Sequence, residues 1–111
     1  MSRAARTFGF KLPVPGDNPN TAVIVGRKPV ILADARAAHA SFSQPPHDHI
    51  RSWLGAPLIV RERVIGMLAV DSTEPGHFNE EHVRLIAPYA NQVAVAVENA
   101  RLFEAERRRA E

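Results

Sequence analysis

The sequence predicts an α+β domain built on an antiparallel sheet and a long C-terminal helix. Two β-rich runs, 52–60 and 64–72, are separated only by Arg61-Glu62-Arg63, which is the spacing of a hairpin. Apolar residues fall on both sides of these runs, so we expect both faces of the sheet to be covered. From residue 79 onward apolar residues recur every three or four positions, which indicates one buried stripe along a helix.

The N-terminal part predicts a strand followed by a short helix. Phe8, Phe10 and Leu12 alternate with other residues over 7–12, as in a half-buried strand. Asn18-Pro19 then has the form of an N-cap and a first helical residue. We expect this helix to run to about residue 25, with Gly26 as its C-cap.

A short buried strand and an irregular loop are predicted next. Residues 30–32, Val-Ile-Leu, have the β-branched and apolar character of a strand, and Asp34 is placed to cap the turn after it. Pro45-Pro46 disfavours a continuous helix, so we expect 35–50 to be a loop with helical fragments. Gly66, inside the second run of the hairpin, predicts a bulge or a close backbone approach.

The C-terminal helix is expected to begin after Asn79, which can cap it. Pro88 lies inside the pattern and removes one backbone hydrogen bond, so we expect a bend there rather than an end. After Phe103 charged residues dominate, and that end is expected to be solvated. The apolar stripe consists of Val83, Ile86, Ala90, Val93, Val97 and Ala100.

Composition restricts the classes of function. The 111 residues are 45% hydrophobic, which suits one modest core, and they carry a net charge of +2. No basic patch is interleaved with aromatic residues, so we expect no nucleic-acid partner. No apolar run is long enough to cross a bilayer and no signal peptide opens the chain, so a cytoplasmic location is expected, without membrane insertion. The absence of cysteine excludes disulfides and thiolate metal sites.

Three stretches, taken in order, resemble the GAF domain family. They are Gly26-Arg-Lys-Pro-Val-Ile-Leu-Ala-Asp34, then Arg51-Ser-Trp-Leu-Gly-Ala-Pro-Leu58 with Val64-Ile-Gly-Met-Leu68, and finally Phe78-Asn-Glu-Glu81 with Ala90-Asn-Gln-Val-Ala-Val-Ala-Val-Glu-Asn-Ala-Arg-Leu102. The resemblance implies about six antiparallel strands, with the long C-terminal helix on one face and loops and short helices around a ligand pocket on the other. The family usually has a further helix and strands at its front. We therefore expect an N-terminal remnant at 1–9, a shortened GAF-like domain at 10–103 and a charged helical linker end at 104–111.

The resemblance implies a sensory or regulatory module of a signal-transduction protein, such as a histidine kinase or diguanylate cyclase. Such a module binds a small molecule, forms a homodimer, or does both, and passes a signal to an effector domain. No nucleophile, base and charge stabiliser are found together, and the spacing of Ser52, Ser72 and His77 matches no triad, so no catalysis is expected. Free methionine sulfoxide reductases of this fold rely on cysteines, which are absent here. The alternatives are a ligand-free dimerisation domain and a haem-binding gas or redox sensor.

Candidate ligand contacts come from the strand at 30–32 and from the segments around the predicted loop. For each apolar candidate, the competing interpretation is that it packs in the core. For the histidines, the competing interpretation is that they belong to a polar loop without a ligand. His47 or His49 would be the haem ligand if haem were bound, whereas a metal site is not expected and a covalent bilin is excluded because it needs a cysteine. Asp71-Ser72 stands where cyclic-nucleotide-binding members carry Asn-Lys, so cyclic GMP is not indicated. The candidate residues are Trp53, Phe42, Ile31, Leu32, Asp34, His47 and His49.

Dimerisation is expected through the C-terminal helix. Small residues on one helix face allow a second helix to approach closely. The predicted contact residues are Ala90, Ala94, Val97 and Ala100.

Overall fold

The computed structural model describes residues 6–8 and 19–110. They form four strands, three α-helices and one 3₁₀ helix, in the α+β arrangement that the sequence predicts. In chain order these are β1 (Arg6–Phe8), α1 (Pro19–Gly26), β2 (Val30–Leu32), α2 (Ala35–Ala38), the 3₁₀ helix (Ala40–Ser43), β3 (Ser52–Val60), β4 (Arg63–Ser72) and α3 (Glu80–Ala110).

The four strands form one antiparallel sheet in the order β1-β4-β3-β2. The predicted hairpin is therefore the centre of the sheet, with a three-residue strand at each side. Within the described residues the sheet has four strands rather than the six that the resemblance implies. Because β1 starts at Arg6, the sheet also reaches into the segment 1–9. Of the predicted strand at 7–12, residues 9–12 lie outside the described part of the chain, as does the predicted cap Asn18.

The hairpin turn is tighter than predicted. Val60 pairs with Arg63, so the connection has two residues, Arg61 and Glu62, and both have positive φ, 51° and 67°. This is the φ pattern of a type I′ turn, which matches the twist of the flanking strands. Arg63 therefore belongs to β4 and not to the loop.

The irregularity predicted at Gly66 is present as a β-bulge. Leu58 pairs with Gly66 and the next residue, Ile59, pairs with Val64, so the intervening Ile65 is the extra residue of β4. A bulge of this kind increases the local twist of the strand.

Both faces of the hairpin are buried, as the sequence predicts. Successive strand residues point to opposite faces, so neighbours such as Trp53 and Leu54 belong to different clusters. The front cluster, under α1, α2 and the 3₁₀ helix, consists of Val23, Ala35, Phe42, Ile50, Trp53, Met67 and Ala69. The back cluster, under α3, consists of Leu54, Ala56, Leu58, Ile65, Leu68, Phe78, Ile86, Ala90 and Ala94.

Helix α3 is capped by Asn79 as expected. The Asn79 Oδ1 accepts hydrogen bonds from the backbone N–H of Glu81 at 2.9 Å and of His82 at 3.4 Å. In return the Asn79 N–H donates to Nδ1 of His82 at 3.1 Å, which is the reciprocal arrangement of a capping box. The helix continues through Pro88 without interruption.

The packed part of α3 is shorter than the predicted stripe. Ile86, Ala90 and Ala94 are buried, and Val97 is the last residue that packs against the back cluster. Ala100 is exposed, and so are all residues from 99 to 110. The final part of the helix therefore projects beyond the core of its own domain.

The end of α1 also differs from the prediction. Gly26 is the last helical residue, and it is Arg27 that adopts the left-handed conformation, with φ of 58°. The Arg27 N–H donates to the Val23 carbonyl at 2.9 Å, which closes the helix.

Candidate functional site

The front face of the sheet is the place where the sequence predicts a ligand. It is covered by three short elements, of which α1 contacts both β3 and β4. The side chains of Val23 and Ala35 are fully buried here, and Phe42 and Trp53 are 4% and 3% exposed. The front face is therefore an apolar layer held between the sheet and the short helices.

The indole ring of Trp53 lies over Gly55, which is two residues further along β3. A Cβ atom on Gly55 would fall at 2.8 Å from Cζ3 and 2.9 Å from Cζ2 of the indole, with Cη2 closer still. The ring thus takes the space that a side chain at position 55 would fill. Trp53 and Phe42, two of the predicted ligand contacts, are core residues of the front cluster.

Ile31 and Leu32 do not belong to one site. They are adjacent in β2, so their side chains point to opposite faces of the sheet. Leu32 packs against the front cluster, whereas Ile31 packs against the back cluster under α3. Only Leu32 can contribute to a site on the front face.

Asp34 is a helix cap, as its position predicts. The Asp34 Oδ1 accepts a hydrogen bond from the Ala37 N–H at 3.4 Å, and Asp34 is exposed to solvent. The competing expectation of Asp34 as a ligand contact is not supported by this placement, because the carboxylate is directed to the start of α2.

His47 and His49 lie on the turns between the 3₁₀ helix and β3. His47 is exposed and His49 is half-buried. The backbone of His47 donates to the Gln44 carbonyl at 2.9 Å and accepts from Ile50 at 3.1 Å. Arg36 of α2 anchors the same loop, because its Nη2 donates to the Asp48 carbonyl at 2.6 Å. The loop is thus tied to α2 beside the front cluster.

Buried polar groups at the margin of the front face were not among the predicted contacts. Asp71 is 5% exposed and pairs with Trp53 across the hairpin, so it belongs to the front face together with Ala69. Asn20 of α1 is 4% exposed. Arg51 is half-buried, and its Nε is enclosed without a hydrogen-bond partner. The alternation of β4 could have placed Asp71 on this face, but nothing in the sequence marks Asn20 as buried.

Ser52 and Ser72 are structural groups. They face each other in the hairpin and both are fully buried. The Ser52 hydroxyl donates to the Glu74 carbonyl at 2.7 Å, and the Ser72 Oγ accepts from the Glu74 N–H at 3.1 Å. Together they fix the backbone that leads from β4 towards α3.

The predicted dimer residues differ in their solvent accessibility. Ala90 and Ala94 are 3% and 0% exposed because they pack on the sheet of their own chain, so they are not accessible to a second subunit. Val97 is half-buried at the end of the same core, and Ala100 is exposed. The face of α3 that the sequence selected for dimerisation is thus the face that builds the domain.

Two further observations concern residues 6–8 and 19–110, the part of the chain that the structure describes. In that part of the chain no three histidine, cysteine, aspartate or glutamate side chains come together as metal ligands. None of the helices described there is long and apolar enough to span a membrane.

The arrangement of a central antiparallel hairpin, short helices on one face and a long C-terminal helix on the other defines a GAF-type fold. A sequence profile of the GAF domain matches residues 2–98. The chain belongs to the GAF domain family.

Solved structures with this fold come from proteins of different activities. The GAF domain of a phosphoenolpyruvate-protein phosphotransferase from Coxiella burnetii is 27% identical, with a TM-score of 0.69 over 81% of this chain and 55% of that one. A type II free methionine-R-sulfoxide reductase from Thermoplasma acidophilum is 18% identical, with a TM-score of 0.65 over 76% of this chain and 58% of the reductase. A domain described as part of a two-component sensor histidine kinase from Sinorhizobium meliloti is 16% identical, with a TM-score of 0.61 over 84% and 71%. The chain thus spans a little over half the length of the first two.

Proposed function

We propose that the chain is a non-catalytic regulatory module of a signal-transduction protein, such as a histidine kinase or a diguanylate cyclase. In this proposal a small molecule binds at the front face and the module acts as a homodimer joined to an effector domain. The observation that carries the proposal is that β3 and β4 are shared by both clusters. The elements at the front face and the long helix at the back therefore rest on the same two strands.

The two faces are built differently, which supports a division of roles. The front is covered by helices of eight and four residues and by a 3₁₀ helix, whereas the back is covered by one helix of 31 residues. Short elements joined by turns open at lower free energy than a long packed helix. A ligand that displaced the front elements would move β3, and Leu54 of β3 packs in the cluster that holds α3.

The polar margin of the front face suggests which chemical groups a ligand would present. The buried Arg51 Nε is a donor, and burying a donor without an acceptor costs about 1–3 kcal/mol. A carboxylate or phosphate oxygen of a ligand would supply that acceptor. The site proposed is therefore the rim formed by Arg51, Asp71 and Asn20, with the apolar layer of Trp53 below it.

The proposal of a non-catalytic module rests on the hydrogen bonds of the two candidate nucleophiles, Ser52 and Ser72. The hydroxyls of Ser52 and Ser72 are both committed to the Glu74 backbone. An activated nucleophile instead requires a neighbouring base within hydrogen-bond reach. These contacts support a structural role for both serines.

Native mass spectrometry of the freshly purified chain, combined with the fluorescence of its one tryptophan, tests this proposal. We expect a retained small molecule, whose removal and return change the emission of Trp53. Arg51→Ala should weaken its binding at least tenfold, whereas Arg63→Ala, at an exposed position of β4, should leave binding unchanged. A chain that carries no additional mass and shows no change in emission with metabolite mixtures would contradict ligand binding.

A ligand-free dimerisation domain is the second candidate, and one observation favours it. The front cluster is already filled, since the indole of Trp53 covers Gly55 and all seven members are at most 4% exposed. In that case the same mass spectrum shows a dimer without additional mass.

The haem alternative gains no support from the loop of His47 and His49, because the apolar neighbours Phe42 and Ile50 are buried in the front cluster. A Soret band in the purified protein would be the contrary result.

A further inference from the structure

Three aromatic rings meet at the start of α3, those of His77, Phe78 and His82. The ring of Phe78 makes edge contacts with both imidazoles, at centroid distances of 4.9 Å to His77 and 5.5 Å to His82. The two imidazoles are themselves 5.5 Å apart. Phe78 is buried in the back cluster, whereas both histidines are half-buried. The two histidines therefore lie where α3 joins the core.

A hydrogen bond to the backbone holds His82 in one tautomer. Its Nδ1 accepts from the Asn79 N–H at 3.1 Å, so the neutral ring carries its proton on Nε2. His82 is the third residue of α3, the position at which glutamate or glutamine supplies this acceptor in a capping box. Histidine is the side chain whose charge ordinarily changes between pH 5 and 8. The acceptor at the start of α3 is therefore one that a proton can remove.

A second proton on His82 must go to the atom that accepts the hydrogen bond. Because Nε2 already carries a proton, Nδ1 is the position left for the second one. Two N–H groups would then face each other, so the bond to Asn79 breaks and the ring turns away. The charge gained also lies in the first turn of α3, where the helix dipole disfavours a cation. Protonation of His82 thus removes one of the interactions that begin the helix.

We propose that α3 begins with a proton-sensitive cap, in which protonation of His82 releases its ring from the Asn79 N–H and loosens the first helical turn. This inference is independent of ligand binding at the front face, and it gives the module a second input, the local pH. The change reaches the core through Phe78, because the ring of His82 leaves its edge contact with the phenyl ring. Protonation of His77 would act in the same direction, since two charged imidazoles 5.5 Å apart repel each other.

The charged neighbours of His82 on its own helix are exposed. The carboxylates of Glu80 and Glu81 attract a protonated ring and so oppose its departure. Glu81 is paired with Arg84 at 3.1 Å, and both of these side chains are about 70% exposed. Interactions between such exposed charges are weak. The loss of the hydrogen bond therefore decides where the protonated ring goes.

The other elements near the start of α3 present few charges. In the loop before the helix Glu74 is exposed, and its backbone is bound by the two serines of the hairpin. The side chains with which β3 and β4 build the back cluster are apolar. The buried acid of β4, Asp71, pairs with Trp53 and lies on the front face. The sheet therefore holds no carboxylate against this cap within the back cluster.

The effect of the proton is confined to the first turn. Asn79 is exposed, so water can take the place of the lost acceptor. The bonds from the N–H groups of Glu81 and His82 to the Asn79 Oδ1 do not involve the imidazole and remain. Since the bond to Nδ1 requires the neutral ring, its contribution is complete at high pH and is lost as the pH falls through the titration of His82.

Nitrogen-15 NMR of the 111-residue chain tests the tautomer on which this inference rests. The shifts of the two ring nitrogens distinguish a proton on Nε2 from one on Nδ1. At pH 8 we expect His82 to be neutral with its proton on Nε2. A ring that carries its proton on Nδ1 at this pH could not accept from Asn79 and would overturn the proposal.

Hydrogen exchange of the Val83 amide tests the loosening, because this N–H donates to the Asn79 carbonyl at 3.2 Å and closes the first turn. After correction for intrinsic exchange, its protection should fall about fivefold from pH 8 to pH 5, the effect of one lost hydrogen bond. His82→Gln keeps an acceptor at both pH values, so its protection should change by less than about twofold. His82→Ala should show the low protection at both.

His47→Gln is the matched control, since His47 is exposed in the loop before β3 and its variant should keep the wild-type response. Circular dichroism of each variant verifies that α3 is formed. Wild-type protection of Val83 that is the same at pH 8 and pH 5 would overturn the proposal. So would a fivefold fall that persists in His82→Gln, because the response would then come from another group.

Discussion

The indole of Trp53 fills the position above Gly55 that a side chain would take. Two ring carbons lie within 3.0 Å of the point where a Cβ on Gly55 would stand, and a third is closer. Real Cβ atoms do not approach neighbours so closely, so any larger residue at position 55 must displace the ring or the strand. The packing of the front cluster therefore requires a glycine at position 55, where there is no Cβ atom to collide with the indole.

We expect Gly55→Ala to lower the free energy of unfolding by about 1–3 kcal/mol, because inserting a methyl group into a packed core forces its neighbours to move. The emission maximum of Trp53 should shift to longer wavelength as the ring becomes more exposed. Gly26→Ala is the control, since a Cβ there would meet only Lys28 at 3.8 Å and should be neutral or stabilising. Equal stability of both variants in urea would contradict the crowding at Gly55.

The turn between β3 and β4 holds two ordinary residues in left-handed conformation. Replacing Arg61 and Glu62 by Asn and Gly, the residues that a type I′ turn prefers, should raise the free energy of unfolding by about 1–2 kcal/mol. Glu98→Gly, within α3, should lower it by about 1 kcal/mol because glycine is a poor helix former. Thermal and urea unfolding measure both. A turn variant less stable than wild type would argue against the positive φ angles.

Ser52 supports the segment after β4 through one hydrogen bond to the Glu74 carbonyl. Ser52→Ala should cost about 1–2 kcal/mol, because it leaves a partly buried acceptor without its donor. Ser43→Ala, at an exposed position of the 3₁₀ helix, should change stability by less than about 0.5 kcal/mol. Amide exchange near Glu74 should accelerate in the first variant only. Unchanged exchange and stability would show that the hydroxyl is dispensable.

The two sides of α3 should respond differently to the same substitution. Ala94→Leu should destabilise the domain by about 1–3 kcal/mol, because Ala94 is fully buried against the sheet. Ala96→Leu, only two residues away and exposed, should not lower stability. Urea unfolding of the two variants compares them directly. The opposite order would mean that the helix is rotated from the position described.

Much of the fold could be predicted from local patterns. The hairpin, the two-sided burial, the caps Asp34 and Asn79 and the bulge near Gly66 each follow from residue types at short spacing. The predicted three-residue loop was wrong because Arg61 and Glu62 do not have the composition typical of a two-residue turn. Gly26 was misassigned for a related reason, since Arg27 adopts the conformation that glycine usually supplies.

The candidate site was predicted less well, because it depends on which residues face each other across the sheet. Ile31 and Leu32 were grouped by their apolar character, although adjacent strand residues cannot face the same side. The dimer residues Ala90 and Ala94 were selected by their small size, which equally suits close packing of α3 on its own sheet. Separating these uses requires the register of the strands, and that register is fixed by tertiary contacts.

Because the end of α3 projects beyond the core, any tilt of the helix at Val97 would produce a larger displacement at its tip. At 1.5 Å per residue, the segment from 98 to 110 is about 20 Å long, so a tilt of about 10° at Val97 moves its tip by roughly 3–4 Å. That displacement is more than half the rise of one helical turn, although the helix itself would move by only a fraction of it at the edge of the core. Small rearrangements around Trp53 would thus become visible first at Arg107, where spin or fluorescent labels should be placed.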